Sequence, residues 1–177
     1  MTLVAIPNEA SLSDKRTAMS PANIGKLVHS GVDALVEEGL GVGCGFSDDQ
    51  YREAGARTTK NREELFSESD VVMRIHKPTT EEAKLLKSGS VHISYLDPFN
   101  EQELIETLKD RQVSTISMEM IPRTTRAQKM DALSLQASLA GYVMVLQAAN
   151  RLNRILPMMM TPTGTIKPAK VFVIGAG

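Results

Sequence analysis

The sequence predicts an α/β protein in which helices cover both faces of a parallel β-sheet. Short β-branched runs alternate with segments of helical period over about the first 120 of its 177 residues. Two capping boxes and one Ser-Pro pair mark where helices start. The hydrophobic share of 42% and charged share of 23% are those of an ordinary globular chain. Strands separated by helices pair in parallel through right-handed crossovers, and such a sheet needs cover on both sides.

The elements follow in order. Leu3 to Ile6 reads as a buried strand broken by Pro7. Ser20-Pro21 supplies an N-cap and a first-turn proline for a helix whose face carries Ile24, Leu27 and Val28 and which ends at Gly31. Ala34 to Val36 is the next strand. Ser47 with Gln50 forms a capping box for a helix ending near Gly55, and Asp70 to His76 is a third strand. Thr79 with Glu82 is the second capping box, opening a helix that stops at Gly89. Val91 to Tyr95 is a strand. Asn100 is expected to cap a helix with Leu104, Ile105 and Leu108 on one face, before a last strand over Val113 to Ser117.

The pattern then changes. Ala127 to Arg154 reads as one long helix rich in small residues, among them Ala132, Ser134, Ala137, Ser138, Ala140 and Gly141. Such a surface suits an interdomain or subunit contact, and a core helix with tight neighbours is the other reading. Pro157 to Pro168 reads as a loop, with the Met158-Met159-Met160 triplet as adaptable packing. Lys170 to Gly177 reads as a buried strand entering the first two glycines, Gly175 and Gly177, of a G-x-G-x-x-G fingerprint. In that fingerprint the helix after the turn supplies the anion-binding N-terminus. The expected organisation is a Rossmann-like α/β domain over 1–125, a linker helix over 126–156, and the loop and first strand of a truncated dinucleotide-binding domain over 157–177. The chain is expected to be the front of a longer one, cut inside a βα unit.

Several chemistries are disfavoured. Twenty basic against twenty-one acidic residues leave no positive surplus to follow a phosphate backbone, which argues against nucleic acid. A single cysteine, Cys44, makes no internal disulfide, and no histidine stands close to it in sequence to activate it. His29, His76 and His92 lack zinc-ligand spacing, so no metal site is expected. The glycines from Gly39 to Gly45 lack the Lys-Ser/Thr of a P-loop and read as a flexible connection. His76, beside Arg74 and Lys77 at a strand exit, sits where ligands of parallel sheets bind, but a solvated strand exit is the favoured reading.

The segment Pro122 to Ser134 concentrates polar groups where the long helix begins. If that helix starts near Arg126, Gln128, Asp131 and Ser134 fall at three-residue spacing along one face, with Arg123 on the loop before them. A guanidinium, an amide and a carboxylate that converge can bind a carboxamide and ribose hydroxyls while orienting one another. A capped, salt-bridged helix start uses the same residues, and the residues alone leave both readings open.

Ile6-Pro7-Asn8-Glu9, Arg16 to Pro21, Phe46 to Gly55, Met73 to Pro78, Pro122-Arg123 with Arg126-Ala127-Gln128, Asp131-Ala132-Leu133-Ser134, Leu139 to Tyr142, and Pro168 to Gly177 carry a resemblance. The chain resembles the NAD(H)-binding alpha subunit of proton-translocating NAD(P) transhydrogenases, a group in one superfamily with alanine dehydrogenases. The resemblance implies NAD(H) in a cleft, with Arg123, Gln128, Asp131 and Ser134 around its nicotinamide end and Gln128 and Asp131 positioning the hydride. Gly175 and Gly177 would meet the cofactor phosphates. It further implies NADP(H) on a partner domain, a homodimer, a membrane-embedded proton-channel subunit, and a cytoplasmic location peripherally attached to the inner membrane.

Departures from the alanine dehydrogenase pattern bear on the choice of branch. Arg74 and Tyr95 stand where similar alanine dehydrogenases have lysine and histidine; arginine stays charged and tyrosine titrates near 10, so neither moves a proton near neutrality. Arg16 is shared by both branches. Asn8 and Lys129 depart from residues common in the family. The alternatives are an alanine dehydrogenase-like amino-acid dehydrogenase and a non-catalytic dimerisation module. Without the rest of the phosphate-binding turn, the fragment alone is expected to bind NAD(H) poorly and to be inactive.

Overall fold

The computed structural model describes residues 2–9 and 13–175, which divide into two compact units, Met1–Ile121 and Pro122–Gly177. The first unit holds β1 (Leu3–Ile6), α1 (Pro21–His29), β2 (Asp33–Glu37), α2 (Asp48–Glu53), β3 (Arg57–Thr59) and α3 (Arg62–Glu68). It continues with β4 (Val71–Met73), α4 (Thr80–Leu85), β5 (Val91–Ser94), α5 (Gln102–Asp110) and β6 (Ser114–Ser117). The six strands form one sheet in the order β3-β2-β1-β4-β5-β6, every neighbouring pair parallel. From β1 the chain builds outward through β2 and β3, then returns to add β4, β5 and β6 on the other side. The order therefore reverses between β1 and β4.

Alternation along β1 divides the core. Leu3 and Ala5 join Leu65, Phe66, Val72, Leu86, Leu104 and Leu108 under α3, α4 and α5. Val4 and Ile6 join Ile24, Val36, Leu40 and Tyr51 under α1 and α2. Phe66 and Leu65 are fully buried, each contributing about 1.5–3 kcal/mol by leaving water. The Tyr51 ring is buried too, and its hydroxyl donates to the Met19 carbonyl at 2.9 Å, so the ring enters the core without an orphaned polar end.

Helix starts follow the local chemistry. Ser20 caps α1 ahead of Pro21, and both expected capping boxes form, Ser47 with Gln50 and Thr79 with Glu82. Asn100 does not cap α5: Glu101 holds that position without a side-chain bond, and the Asn100 amide donates instead to Asp97 Oδ1 at 2.8 Å. The strand expected over Asp70 to His76 is confined to Val71–Met73. β3 and α3 are elements that the hydrophobic pattern does not announce, since β3 has three polar residues and pairs only through its backbone with β2.

The Gly39–Gly45 connection is packed rather than loose. Val42–Cys44 forms a 3₁₀ turn, and a Cβ on Gly41 would sit 2.6 Å from Phe46 Cβ and 2.8 Å from the Tyr51 ring. Gly41→Ala is therefore expected to destabilise the first unit by about 1–3 kcal/mol. Urea denaturation reads this directly, and a loss below about 0.5 kcal/mol would show that the turn gives way freely.

The second unit holds α6 (Ala132–Arg151) and an antiparallel pair, β7 (Met159–Thr161) and β8 (Gly164–Ile166). It differs from the sequence expectation at three places. The long helix begins at Ala132 rather than near Arg126, because Gln128–Met130 forms a separate 3₁₀ turn and Asp131 is the cap. The region 157–168 contains the β7–β8 hairpin instead of a plain loop. Lys170 to Ile174 forms no strand: among the described residues nothing pairs with it, and Phe172 is 89% exposed. A strand exists only through its neighbours. Gly175 has φ +81°, the left-handed conformation that suits a tight turn, while Gly177 lies outside the described residues.

Helix α6 is exposed along its length and carries Leu135, Leu139, Tyr142, Val143, Val145 and Leu146 at its surface. By length and composition alone it could cross a bilayer.

Candidate functional site

Two polar clusters stand out, one in each unit. In the second unit, Arg123, Thr124, Thr125, Gln128, Asp131 and Ser134 line a single depression. Its shape comes from consecutive tight turns. Ala127 N–H donates to the Thr124 carbonyl at 3.0 Å, Met130 N–H to the Ala127 carbonyl at 2.8 Å, and the 3₁₀ turn then delivers Asp131 to the helix start.

Asp131 closes the site. Its Oδ1 accepts from Ser134 N–H at 3.0 Å and its Oδ2 from the Ser134 hydroxyl at 2.6 Å, which fixes both side chains against the first turn of α6. Those two bonds, with the Arg123 guanidinium nearby, hold the Asp131 carboxyl below its ordinary range. The depression therefore presents a permanent carboxylate, a guanidinium, an amide and hydroxyls. The four residues expected from the sequence are brought together here, with Thr124 and Thr125 in addition. The means differ from the expectation: a cap and a 3₁₀ turn assemble them, and no shared helical face does. Gly175 does not line this depression.

In the first unit, the exits of β1 and β4 meet where the strand order reverses. Glu9, following β1, accepts from Arg74 Nε at 3.0 Å and from the backbone N–H groups of Ile75 at 2.6 Å and His76 at 2.8 Å. Arg74 Nη1 donates to Glu82 Oε2 at 2.9 Å. Arg62 joins the network by donating to Glu82 Oε1 at 2.6 Å and to Glu37, whose carboxylate also accepts from Asn8 N–H at 2.7 Å. Burial pushes the Glu82 carboxyl up, but the Thr79 N–H and the two guanidiniums outweigh it and bring its pKa down to about 2. His76 is half exposed, and its Nε2 lies 3.0 Å from Asp14 Oδ2. Asp14 also receives the Arg16 guanidinium, which is the main reason its carboxyl is held well below the usual range.

Sequence reasoning named Arg74 and His76 but missed Glu9, Glu37, Arg62 and Glu82 as partners. The available signal was the placement of Glu9 and Arg74 just after two buried strands. Only the sheet order makes those exits adjacent.

The match to a family model decides the family. The model described as "Alanine dehydrogenase/PNT, N-terminal domain" fits residues 5–140, and the corresponding C-terminal domain model fits residues 144–177. The chain belongs to the alanine dehydrogenase/PNT family. Over 98% of its length it is 39% identical to an NAD(P) transhydrogenase alpha subunit of Rhodospirillum rubrum, covering 47% of that protein. It is 37% identical, again over 98% of its length, to the NAD(P) transhydrogenase subunit alpha of Cereibacter sphaeroides, covering 33% of it. This member of the family thus spans about half, or less, of the curated relatives it matches. Among solved structures, a transhydrogenase from Sinorhizobium meliloti superposes with a TM-score of 0.87 at 40% identity, over 99% of this chain and 52% of that one. An L-alanine dehydrogenase superposes with a TM-score of 0.65 at 25% identity, over 71% and 34%. The Rossmann-like parallel sheet of the first unit is thus the alanine dehydrogenase/PNT fold.

Proposed function

We propose that this chain is the N-terminal portion of the NAD(H)-binding subunit of a proton-translocating NAD(P) transhydrogenase. The observation that carries the reading is the convergence of Arg123, Gln128, Asp131 and Ser134 on one depression, in a chain 37–39% identical to transhydrogenase alpha subunits over nearly all its length. Those groups suit a nicotinamide nucleoside. Gln128 offers both a donor and an acceptor to a carboxamide, Arg123 offers further donors, and the Asp131 oxygens keep lone pairs for ribose hydroxyls after accepting from Ser134. When bound, the nicotinamide supplies the hydride chemistry. The task of the four side chains is to hold the ring in register, which costs no proton transfer and needs no titrating group.

In the complete protein, Gly175 and Gly177 would contribute the turn that approaches the cofactor phosphates. The proposed assembly contains a second copy of the subunit, a domain holding NADP(H), and a membrane-embedded subunit that carries protons. The subunit would then lie on the cytoplasmic side, peripheral to the inner membrane. The division at 1–125, 126–156 and 157–177 is proposed with it, the exposed small-residue helix α6 serving the contacts between domains or subunits. The isolated fragment would be inactive.

The test is made in the full-length protein with its partner domains, measuring hydride transfer between NADH and NADP⁺. Asp131→Asn keeps a helix cap, since asparagine caps as well as aspartate, so the fold survives. Asp131→Asn and Gln128→Asn are each expected to slow transfer about tenfold while NADH affinity changes less than about threefold. Equal losses in affinity and rate would reject a positioning role.

A further inference from the structure

Charge is divided unevenly between the two units. The second, Pro122–Gly177, carries seven lysines and arginines against Asp131 alone, whereas the first carries thirteen against twenty acidic residues. The near-neutral total thus hides a surplus of six positive charges in the second unit and of seven negative charges in the first. The charges are also used differently. Among the described residues, the ion pairs all lie in the first unit. In the second unit Arg126 and Lys129 are exposed, and among the described residues no carboxylate stands at ion-pair distance from either. Like charges left unpaired on one small unit repel one another, and what they supply in return is a field that reaches into solvent.

Place decides what that field acts on. Three of the seven cations, Arg123, Arg126 and Lys129, fall on the turns that build the polar depression. Arg126 follows Thr125 and Lys129 follows Gln128, and both of those neighbours line the depression while the two cations do not. Each cation therefore starts one residue, about 3.8 Å, from the wall, and its charge stays within about one Debye length of the mouth, which is about 10 Å at 0.1 M salt. The single acid of the unit is already engaged, with both Asp131 oxygens accepting from Ser134. We propose, resting on the transhydrogenase reading, that Arg126 and Lys129 steer the anionic pyrophosphate of the dinucleotide toward the depression. They speed association and take no part in holding the nicotinamide or in the hydride step. Charges at the rim of a site act in this way, on the rate of arrival and its salt dependence, whereas the contacts inside it set the rate of escape.

The experiment follows NADH binding by stopped flow in the full-length protein with its partner domains, comparing wild type with Arg126→Gln, Lys129→Gln and Lys129→Glu. At about 20 mM salt each neutral substitution is expected to slow association about two- to threefold and Lys129→Glu about fivefold, and at about 500 mM salt the four proteins should converge. Dissociation and hydride transfer to NADP⁺ are expected to change by less than about 1.5-fold. A slowing that persists at high salt would mean that the substitutions disturb the depression itself, and association that ignores both charge and salt would remove the steering role; either result overturns the proposal. So does a Lys129→Glu protein that spares NADH association and loosens a partner domain instead, because the surplus then serves an acidic protein surface. Wild type that binds no NADH at either salt defeats the transhydrogenase reading. Wild type that binds NADH and transfers hydride, with charge variants that associate equally fast, defeats the steering alone.

Discussion

Arg74→Met is expected to cost the first unit about 3–5 kcal/mol, the largest single loss for a substitution at its sheet ends. The reason is what it leaves behind. Glu9 and Glu82 both use Arg74 as their countercharge, and the Glu9 carboxylate has almost no access to water. Removing the cation strands buried anions, which costs more than the pair itself contributes. Arg74→Lys keeps the charge but offers one nitrogen, which cannot reach both Glu9 and Glu82 as Nε and Nη1 do, so about half of that loss is expected to remain. The double variant Arg74→Met with Glu9→Gln should recover part of the stability. Hydrogen exchange at the Ala5 and Val72 amides, in the two strands the network joins, measures all three. A loss below about 1 kcal/mol in Arg74→Met would mean that the network behaves like a surface ion pair.

The second large effect concerns acid. His92 lies fully buried on β5, with Nε2 3.2 Å from Ser94 Oγ and Nδ1 without a partner among the described residues. Burial, helped by the Arg74 guanidinium and opposed by Glu82, holds the imidazole pKa down to about 4. Unfolding releases it to its ordinary 6.5, so between these values the unfolded chain binds the extra proton. The stability held at neutral pH is therefore lost as pH falls below 6.5, reaching about 3 kcal/mol near pH 4. Carboxyls with lowered pKa, such as Glu82, lose their contribution only below about 4.5, so the upper part of the window belongs to His92. Urea midpoints at about pH 7, 5.5 and 4.5 should fall more steeply in wild type than in His92→Leu, by about 2–3 kcal/mol at the lowest of them. Parallel curves would place the proton elsewhere.

Both effects arise from residues whose importance is long-range, and this sets how much could be read from the chain. Capping is local: the Ser47 and Thr79 boxes close within three residues, and the amino-acid order suffices to place α2 and α4. The buried strands β1, β2 and β5 were legible because a sheet covered on both faces demands apolar runs. His92 sits inside such a run and reads as an ordinary strand residue, since nothing local reports that Val72 lies alongside it. The site in the second unit was legible as a set of side chains and misread as geometry, because Asp131 takes the cap and breaks the three-residue spacing.

The order of amino acids by itself determined the α/β class, the helix starts and the four polar residues around Asp131, since each depends on atoms a few residues apart. Only tertiary structure decided that β1 and β4 lie side by side, and with that the union of Glu9 with Arg74, sixty-five residues away. It also decided the fate of Lys170 to Ile174, an apolar run that is a strand only when another strand satisfies its backbone. Pairing partners and countercharges are properties of the folded neighbourhood, and no local pattern encodes them.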